Sequence, residues 1–117
     1  MKKVLISDSH PLFRDFLKQK LTDNLIDIIL TQENRDIYTK MISNLPNLII
    51  LDMKEDGSDQ LEFLEKKVQD SNSANIPVII TGPVQNKSFI ASLAKYGVIK
   101  YFAKPIQFDI FFEAIGR

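Results

Sequence analysis

The sequence predicts an α/β domain in which a five-stranded parallel sheet is doubly wound, with helices on both faces. Three observations carry that expectation. Five short apolar runs are spread along the chain, the segments between them have helical spacing, and turn-forming residues sit at the junctions. Strands that alternate with helices favour parallel pairing through right-handed crossovers. Five such units fill the 117 residues, so residues 1–117 are expected to form one domain with no repeat, linker or low-complexity tract.

The apolar runs are Val4 to Ile6, Leu25 to Leu30, Leu48 to Leu51, Val78 to Ile80 and Val98 to Phe102. The first, third and fourth lack polar alternation, as expected of strands covered on both faces. Phe13, Phe16, Leu17 and Leu21 give the first helix its apolar stripe. Ile37, Met41 and Leu45 give the second, and Leu61, Leu64 and Val68 the third. Phe89, Leu93 and Tyr96 mark a fourth, and Phe108, Phe111, Phe112 and Ile115 a fifth. Pro46-Asn47, Asp56-Gly57-Ser58, Ser71-Asn72-Ser73 and Gly82-Pro83 separate the elements, and Gly97 suits a helix C-terminus after Tyr96.

Composition narrows the function. Basic and acidic residues both total 15, giving a formal net charge of zero, which does not support direct nucleic-acid contact or an anionic membrane surface. The absence of cysteine excludes disulfides, zinc-thiolate sites and thiol nucleophiles. The first apolar run is too short for a signal peptide and no run reaches the length of a membrane span, so a soluble, cytoplasmic protein is expected.

The residues that carry chemistry stand at the carboxyl ends of the strands. The first run leads into Ser7-Asp8-Ser9-His10, the third into Asp52-Met53-Lys54, the fourth into Thr81-Gly82 and the fifth into Ala103-Lys104-Pro105. In a parallel sheet all these ends open on one edge. Two neighbouring carboxylates repel unless a cation joins them, and Mg²⁺ suits one or two carboxylates plus phosphate oxygens. A lysine offers a point charge to a phosphoryl oxygen, and a threonine offers a donor. The set suits an aspartate that accepts a phosphoryl group with metal assistance.

These residues resemble the response-regulator receiver family over essentially the whole chain. The resemblance implies the flavodoxin-like, CheY-like strand order 2-1-3-4-5, with the site at the carboxyl ends of strands one and three. It also implies that Asp52 is the phosphoacceptor, Asp8 part of the acidic pair, Thr81 the switch hydroxyl, Lys104 the lysine that binds phosphoryl oxygens and Tyr101 the aromatic switch. Asp8, Asp52 and the backbone carbonyl of Lys54 would hold Mg²⁺. Lys104-Pro105 matches a motif whose peptide bond is usually cis. Asp8-Ser9-His10-Pro11-Leu12-Phe13-Arg14 is similar to the first loop of receivers joined to helix-turn-helix DNA-binding domains. The implied partners are a histidine kinase or phosphotransfer protein, a DNA-binding output domain if the natural chain is longer, and a second copy through the helix 4–strand 5–helix 5 face. That face would carry Lys95, Tyr96, Lys100, Tyr101 and Phe112. The role is signalling rather than enzymatic, with at most self-catalysed phosphotransfer and dephosphorylation.

Four positions depart from the pattern. Ser9 stands where a second acid is usual, which removes a charge from the metal site. A unit charge pair at ~4 Å is worth about 4 kcal/mol at an effective dielectric near 20, before desolvation offsets most of it. Mg²⁺ affinity is therefore expected to fall at least roughly tenfold, or about 1.4 kcal/mol. Asp56 replaces a common proline and Gln60 a common glycine, so the loop after Asp52 loses backbone constraints. Pro83 stiffens the loop after Thr81. The Lys54 ammonium is placed to occupy part of the cation site. Two functions stay open: a phosphorylated receiver with weak metal dependence, or a phosphorylation-independent pseudo-receiver acting through protein contacts.

Plainer roles exist for each residue. Asp52 alone would read as a turn cap, Asp8 and Ser9 as caps for the helix near Pro11, Thr81 as a strand former and Lys104 as a solvated side chain. His10, the single histidine, has no ligand spacing or triad around it. A phosphatase that used Asp52 as nucleophile would want an acid at position 54, which is Lys. A flavin carrier would want a glycine-rich loop after strand one, where Asp8-Ser9-His10-Pro11 has none.

Overall fold

A computed structural model describes residues 2–8, 11–22, 26–31 and 34–115. The elements alternate as expected: β1 (Lys2–Ser7), α1 (Pro11–Thr22), β2 (Ile26–Thr31), α2 (Asn34–Asn44), β3 (Leu48–Asp52), α3 (Ser58–Gln69), β4 (Val78–Gly82), α4 (Lys87–Ser92), a 3-10 segment (Leu93–Tyr96), β5 (Val98–Ala103) and α5 (Phe108–Ile115). The strands pair in parallel in the order β2-β1-β3-β4-β5. The predicted architecture and strand order are both realised.

Strand periodicity explains the two cores. Successive side chains leave a strand on opposite faces, and the buried residues divide accordingly. Leu5, Ile49, Leu51, Val78 and Ile80 point to one side, where Ile37 and Met41 of α2, Phe63 and Leu64 of α3, and Leu93 and Tyr96 cover them. Val4, Ile6, Leu48, Ile50 and Ile79 point to the other, beneath Leu17 of α1 and Phe111 and Ile115 of α5. β3 and β4 are buried along their whole lengths. That arrangement holds the strand ends rigid, and the site is built there.

Several boundaries differ from the periodic reading. β2 begins at Ile26 and runs to Thr31, and Leu25 lies outside the described residues. Leu45 does not continue α2: it takes φ +44° and is 48 % exposed, with its N–H on the Met41 carbonyl. Pro46 comes next and has no N–H with which to extend the helix. α3 buries Gln60, Phe63, Leu64 and Lys67, a stripe offset from the one expected, while Leu61 and Val68 pack at its margin. In α1 the expected stripe shows Leu17 buried and Phe16 at the rim; the side chains of Phe13 and Leu21 lie outside the described set. Gly97 has φ +84° and closes the 3-10 segment as expected, its N–H bonding the Ala94 carbonyl.

Lys67 is the unexpected core residue. It is wholly buried, and its ammonium donates to the carbonyls of Ala74 and Tyr96, each at 2.9 Å. Burial holds its pKa below the ordinary lysine value, because the charged form loses its water. The Tyr96 hydroxyl donates to Glu65 at 2.7 Å, so two residues of α3 clamp the 3-10 segment.

Candidate functional site

Asp8 comes directly after β1, Asp52 ends β3, Thr81 lies near the end of β4 and Lys104 comes directly after β5, so one sheet edge collects all four. The register makes them neighbours. Ser7 pairs with Leu51, which brings Asp8 beside Asp52, and Asp52 pairs directly with Thr81. Backbone bonds extend the ladder past the strands, from Met53 N–H to the Thr81 carbonyl at 2.7 Å and from Lys104 N–H to the Gly82 carbonyl at 2.8 Å. The Lys104-Pro105 peptide bond is cis, as the motif implied.

Asp52 is 4 % exposed and Asp8 2 %. Three groups converge on the Asp52 carboxylate. The Lys104 ammonium donates to Oδ1 at 2.9 Å, and Thr81 Oγ1 stands 3.5 Å from the same oxygen, at the outer limit of a hydrogen bond. The Lys54 ammonium donates to Oδ2 at 2.7 Å. The lysines are 36 % and 42 % exposed, so water screens both pairs. Each contributes about 1 kcal/mol, well short of the ~4 kcal/mol of a unit pair at 4 Å in a medium of dielectric 20. Two carboxylates and two ammonium groups bring the charges of Asp8, Asp52, Lys54 and Lys104 to zero.

The loop after Asp52 is held from α3. Gly57 takes φ +72°, a left-handed conformation that glycine adopts without strain, and opens the helix. Gln60 is 1 % exposed, and its Oε1 accepts from the Lys54 N–H at 3.3 Å. Its Nε2 is buried without a hydrogen-bond partner among the described residues. Gln60 thus reaches back to the loop that carries Lys54. The sequence marks Gln60 only as a lost glycine, although it shares a helical face with Phe63, Leu64 and Lys67.

Tyr101 is half-buried at the edge of this cluster. Its hydroxyl donates to the Pro83 carbonyl and lies beside Gly82, where a Cβ would meet it at 2.8 Å. Burial, and secondly the negative charge of Asp52, push its phenol above the ordinary tyrosine value.

Of the surface expected to carry a signal, Lys95 and Lys100 are exposed and Tyr101 is half-buried. Tyr96 is only 7 % exposed and is tied to Glu65. Phe112 lies 5.9 Å, ring to ring, from Phe16 of α1, and so faces away from β5's outer edge. Phe108 and Ile110 are the exposed apolar residues of α5. Ser9 and His10 lie outside the described residues.

The cluster suits a small hard cation in donor type. Asp8 and Asp52 are adjacent buried carboxylates, and Asp8 Oδ2 is fully enclosed, a setting in which oxygen ligands favour Mg²⁺ over softer metals. No group of three His, Cys, Asp or Glu side chains able to hold a metal occurs among the described residues.

The sequence model of the response regulator receiver domain matches residues 4–116. The chain belongs to this family. Sporulation initiation phosphotransferase F of Bacillus subtilis is 37 % identical over 83 residues, covering 70 % of this chain and 62 % of that protein. The nitrate/nitrite response regulator protein homolog of Haemophilus influenzae is 28 % identical over 117 residues, covering 98 % of this chain and 55 % of that protein. The chain thus spans less than two thirds of the length of either relative. The chemotaxis response regulator CheY4 of Vibrio cholerae superposes with a TM-score of 0.86 at 17 % identity, over 98 % of this chain and 96 % of that one, a likeness of fold. No helix among the described residues is long and apolar enough to cross a membrane.

Proposed function

We propose that this receiver domain is phosphorylated on Asp52 within a two-component pathway, and that residues 1–117 are the unit that switches. The observation that carries the reading is the convergence of Lys104 and Thr81 on one oxygen of a buried Asp52 carboxylate. Those groups would hold phosphoryl oxygens once the carboxylate is esterified. A carboxylate oxygen of Asp52 attacks phosphorus, an O–P bond forms, and the P–N bond of a partner kinase's phosphohistidine breaks, or the P–O bond of an acyl phosphate. The leaving imidazole recovers its proton from solvent. Asp8, Asp52 and the Lys54 carbonyl would hold Mg²⁺, which supplies charge neutralisation for phosphoryl transfer.

The phosphoryl group, with a charge of about −2 in place of the carboxylate's −1, acts on Thr81 and, through the β4 end, on Tyr101. The readout is then the outer surface of α4, β5 and α5, where Lys95, Ile99 and Lys100 are exposed. A histidine kinase or phosphotransfer protein is the expected donor. A DNA-binding output domain in a longer chain, or a second copy on that face, is the expected receiver of the signal. A cytoplasmic location accords with this role.

Intact-mass spectrometry after incubation with acetyl phosphate and Mg²⁺ tests the reading. One phosphoryl adduct on the wild type and none on Asp52→Asn is the expected result. No adduct under conditions that label another receiver would refute it and leave a phosphorylation-independent interaction module.

A further inference from the structure

Lys54 does something the acceptor chemistry does not ask of it. Its ammonium lies 2.7 Å from Asp52 Oδ2, the oxygen that Lys104 and Thr81 leave to it. The position is also held from the backbone side, since the Lys54 N–H bonds to the buried Gln60 Oε1. A divalent ion held by Asp8 and Asp52 would need a lone pair on Asp52 and the charge of both acids. Lys54 takes one and cancels part of the other.

We propose that Lys54 is a resident counter-cation that competes with the divalent metal for Asp52, so that metal enters only as the Lys54–Asp52 pair opens. The inference rests on reading Asp8 and Asp52 as the metal site. Three features support it. The charges of the four site residues already balance without metal, which removes the electrostatic drive for a cation to bind. Lys54 is 42 % exposed, so its side chain can swing into water at low cost. Its backbone stays fixed by Gln60 while it does so, leaving the loop in place. A lysine on a flexible stem suits a displaceable cation better than arginine, whose fork would chelate the carboxylate in two-point geometry.

The test is a Mn²⁺ titration of the purified domain, with free ion monitored by electron paramagnetic resonance. It compares wild type, Lys54→Met, Lys54→Arg and Lys54→Met/Asp52→Asn. Lys54→Met should bind Mn²⁺ at least tenfold more tightly than wild type, equivalent to about 1.4 kcal/mol. Lys54→Arg should bind no more tightly than wild type, and the double variant should lose the gain. Without metal, Lys54→Met should melt below wild type, and Mg²⁺ should raise its melting temperature by more than it raises that of wild type. Because Lys54 is half exposed, the variant is expected to fold, and circular dichroism checks this. Lys54→Met binding within twofold of wild type would overturn the proposal. So would a gain that persists in the double variant, which would place the ion elsewhere. None of these readouts requires phosphorylation, so loss of the Asp52 adduct and loss of the Lys54 effect are separately visible.

Discussion

Gly82→Ala probes the link between the acceptor edge and Tyr101. A Cβ on Gly82 would lie 2.8 Å from the Tyr101 hydroxyl, 2.9 Å from Met53 Cβ and 3.1 Å from the Met53 carbonyl. All are well inside the ~3.5–4 Å at which nonbonded carbon contacts are favourable. Met53 cannot easily give way, since its N–H is fixed to the Thr81 carbonyl at 2.7 Å and it is 3 % exposed. The half-buried tyrosine is the freer partner. Displacing it loses its bond to the Pro83 carbonyl, about 1 kcal/mol, and the residual overlap with Met53 costs about 1–3 kcal/mol. The smaller entropy of the unfolded alanine chain returns about 0.4–1 kcal/mol. The expected net loss is about 1–3 kcal/mol by urea unfolding at pH 7.

The same variant should change how Tyr101 titrates. In the wild type, burial and then Asp52 hold its phenol above the ordinary value near 10. A raised pKa in the folded state gives stability that is complete below pH 10. That stability is lost as pH climbs from 10 through the folded value, because the unfolded chain gives up the proton first. With the ring displaced, the Tyr101 absorbance titration, assigned by difference from Tyr101→Phe, should fall back toward 10. Tyr101→Phe should also relieve part of the Gly82→Ala penalty, since the shortest contact is to the hydroxyl. Stability within 0.5 kcal/mol of wild type, together with an unchanged Tyr101 titration, would refute the packing argument.

Three other perturbations test separate parts of the molecule. Lys67→Met leaves the Ala74 and Tyr96 carbonyls without their donor and should cost about 1–3 kcal/mol at pH 7. Its gap to wild type in urea unfolding should widen as pH rises from the lowered Lys67 value toward 10.5, because there the unfolded state holds the extra proton and wild type gains stability. Phe111→Ala removes a fully buried ring packed 5.1 Å from Phe102, and should cost about 3–5 kcal/mol in the same assay while leaving Asp52 labelling by acetyl phosphate intact below the melting point. Ser9→Asp should tighten Mg²⁺ binding roughly tenfold, about 1.4 kcal/mol, read as a larger Mg²⁺-dependent rise in melting temperature; an unchanged response would discard the charge argument for Ser9.

The sheet was legible in the sequence because its strands are two-sided. Ile49-Ile50-Leu51 and Val78-Ile79-Ile80 have no polar face, and runs of that kind alternating with helical segments fit a parallel sheet between helical layers. The strand-end residues were legible for the same reason, since parallel strands deliver Asp8, Asp52, Thr81 and Lys104 to one edge whatever the intervening helices do. Position within helices was less so. Lys67 and Gln60 are polar, and a search for apolar residues at helical spacing passes over them. Their burial depends on the Ala74 and Tyr96 carbonyls, which accept from Lys67, and on the Lys54 N–H, which donates to Gln60, partners that no pattern of apolar spacing encodes. Leu45 shows the opposite error: an apolar residue in phase with its helix left that helix because the next residue is proline.

The two departures at the acidic edge act in one direction. Serine at position 9 leaves out a negative charge, and the Lys54 ammonium on Asp52 supplies a positive one. With Asp8, Asp52, Lys54 and Lys104 summing to zero, a divalent ion alone would leave the cluster at +2, and esterification of Asp52, which trades the carboxylate's −1 for a phosphoryl group's charge of about −2, would leave it near −1. With both present the cluster would stand near +1, nearer neutral than with the metal alone. Electrostatics would therefore favour the metal on the phosphorylated site over the resting one, and linkage makes that preference reciprocal: whatever tightens one on the site tightens the other. On this proposal a resting site neutralised by its own lysine would weaken metal binding before phosphorylation more than after it, because an esterified Asp52 would no longer carry the charge that holds Lys54, and the ammonium would then be available to the phosphoryl oxygens beside Lys104.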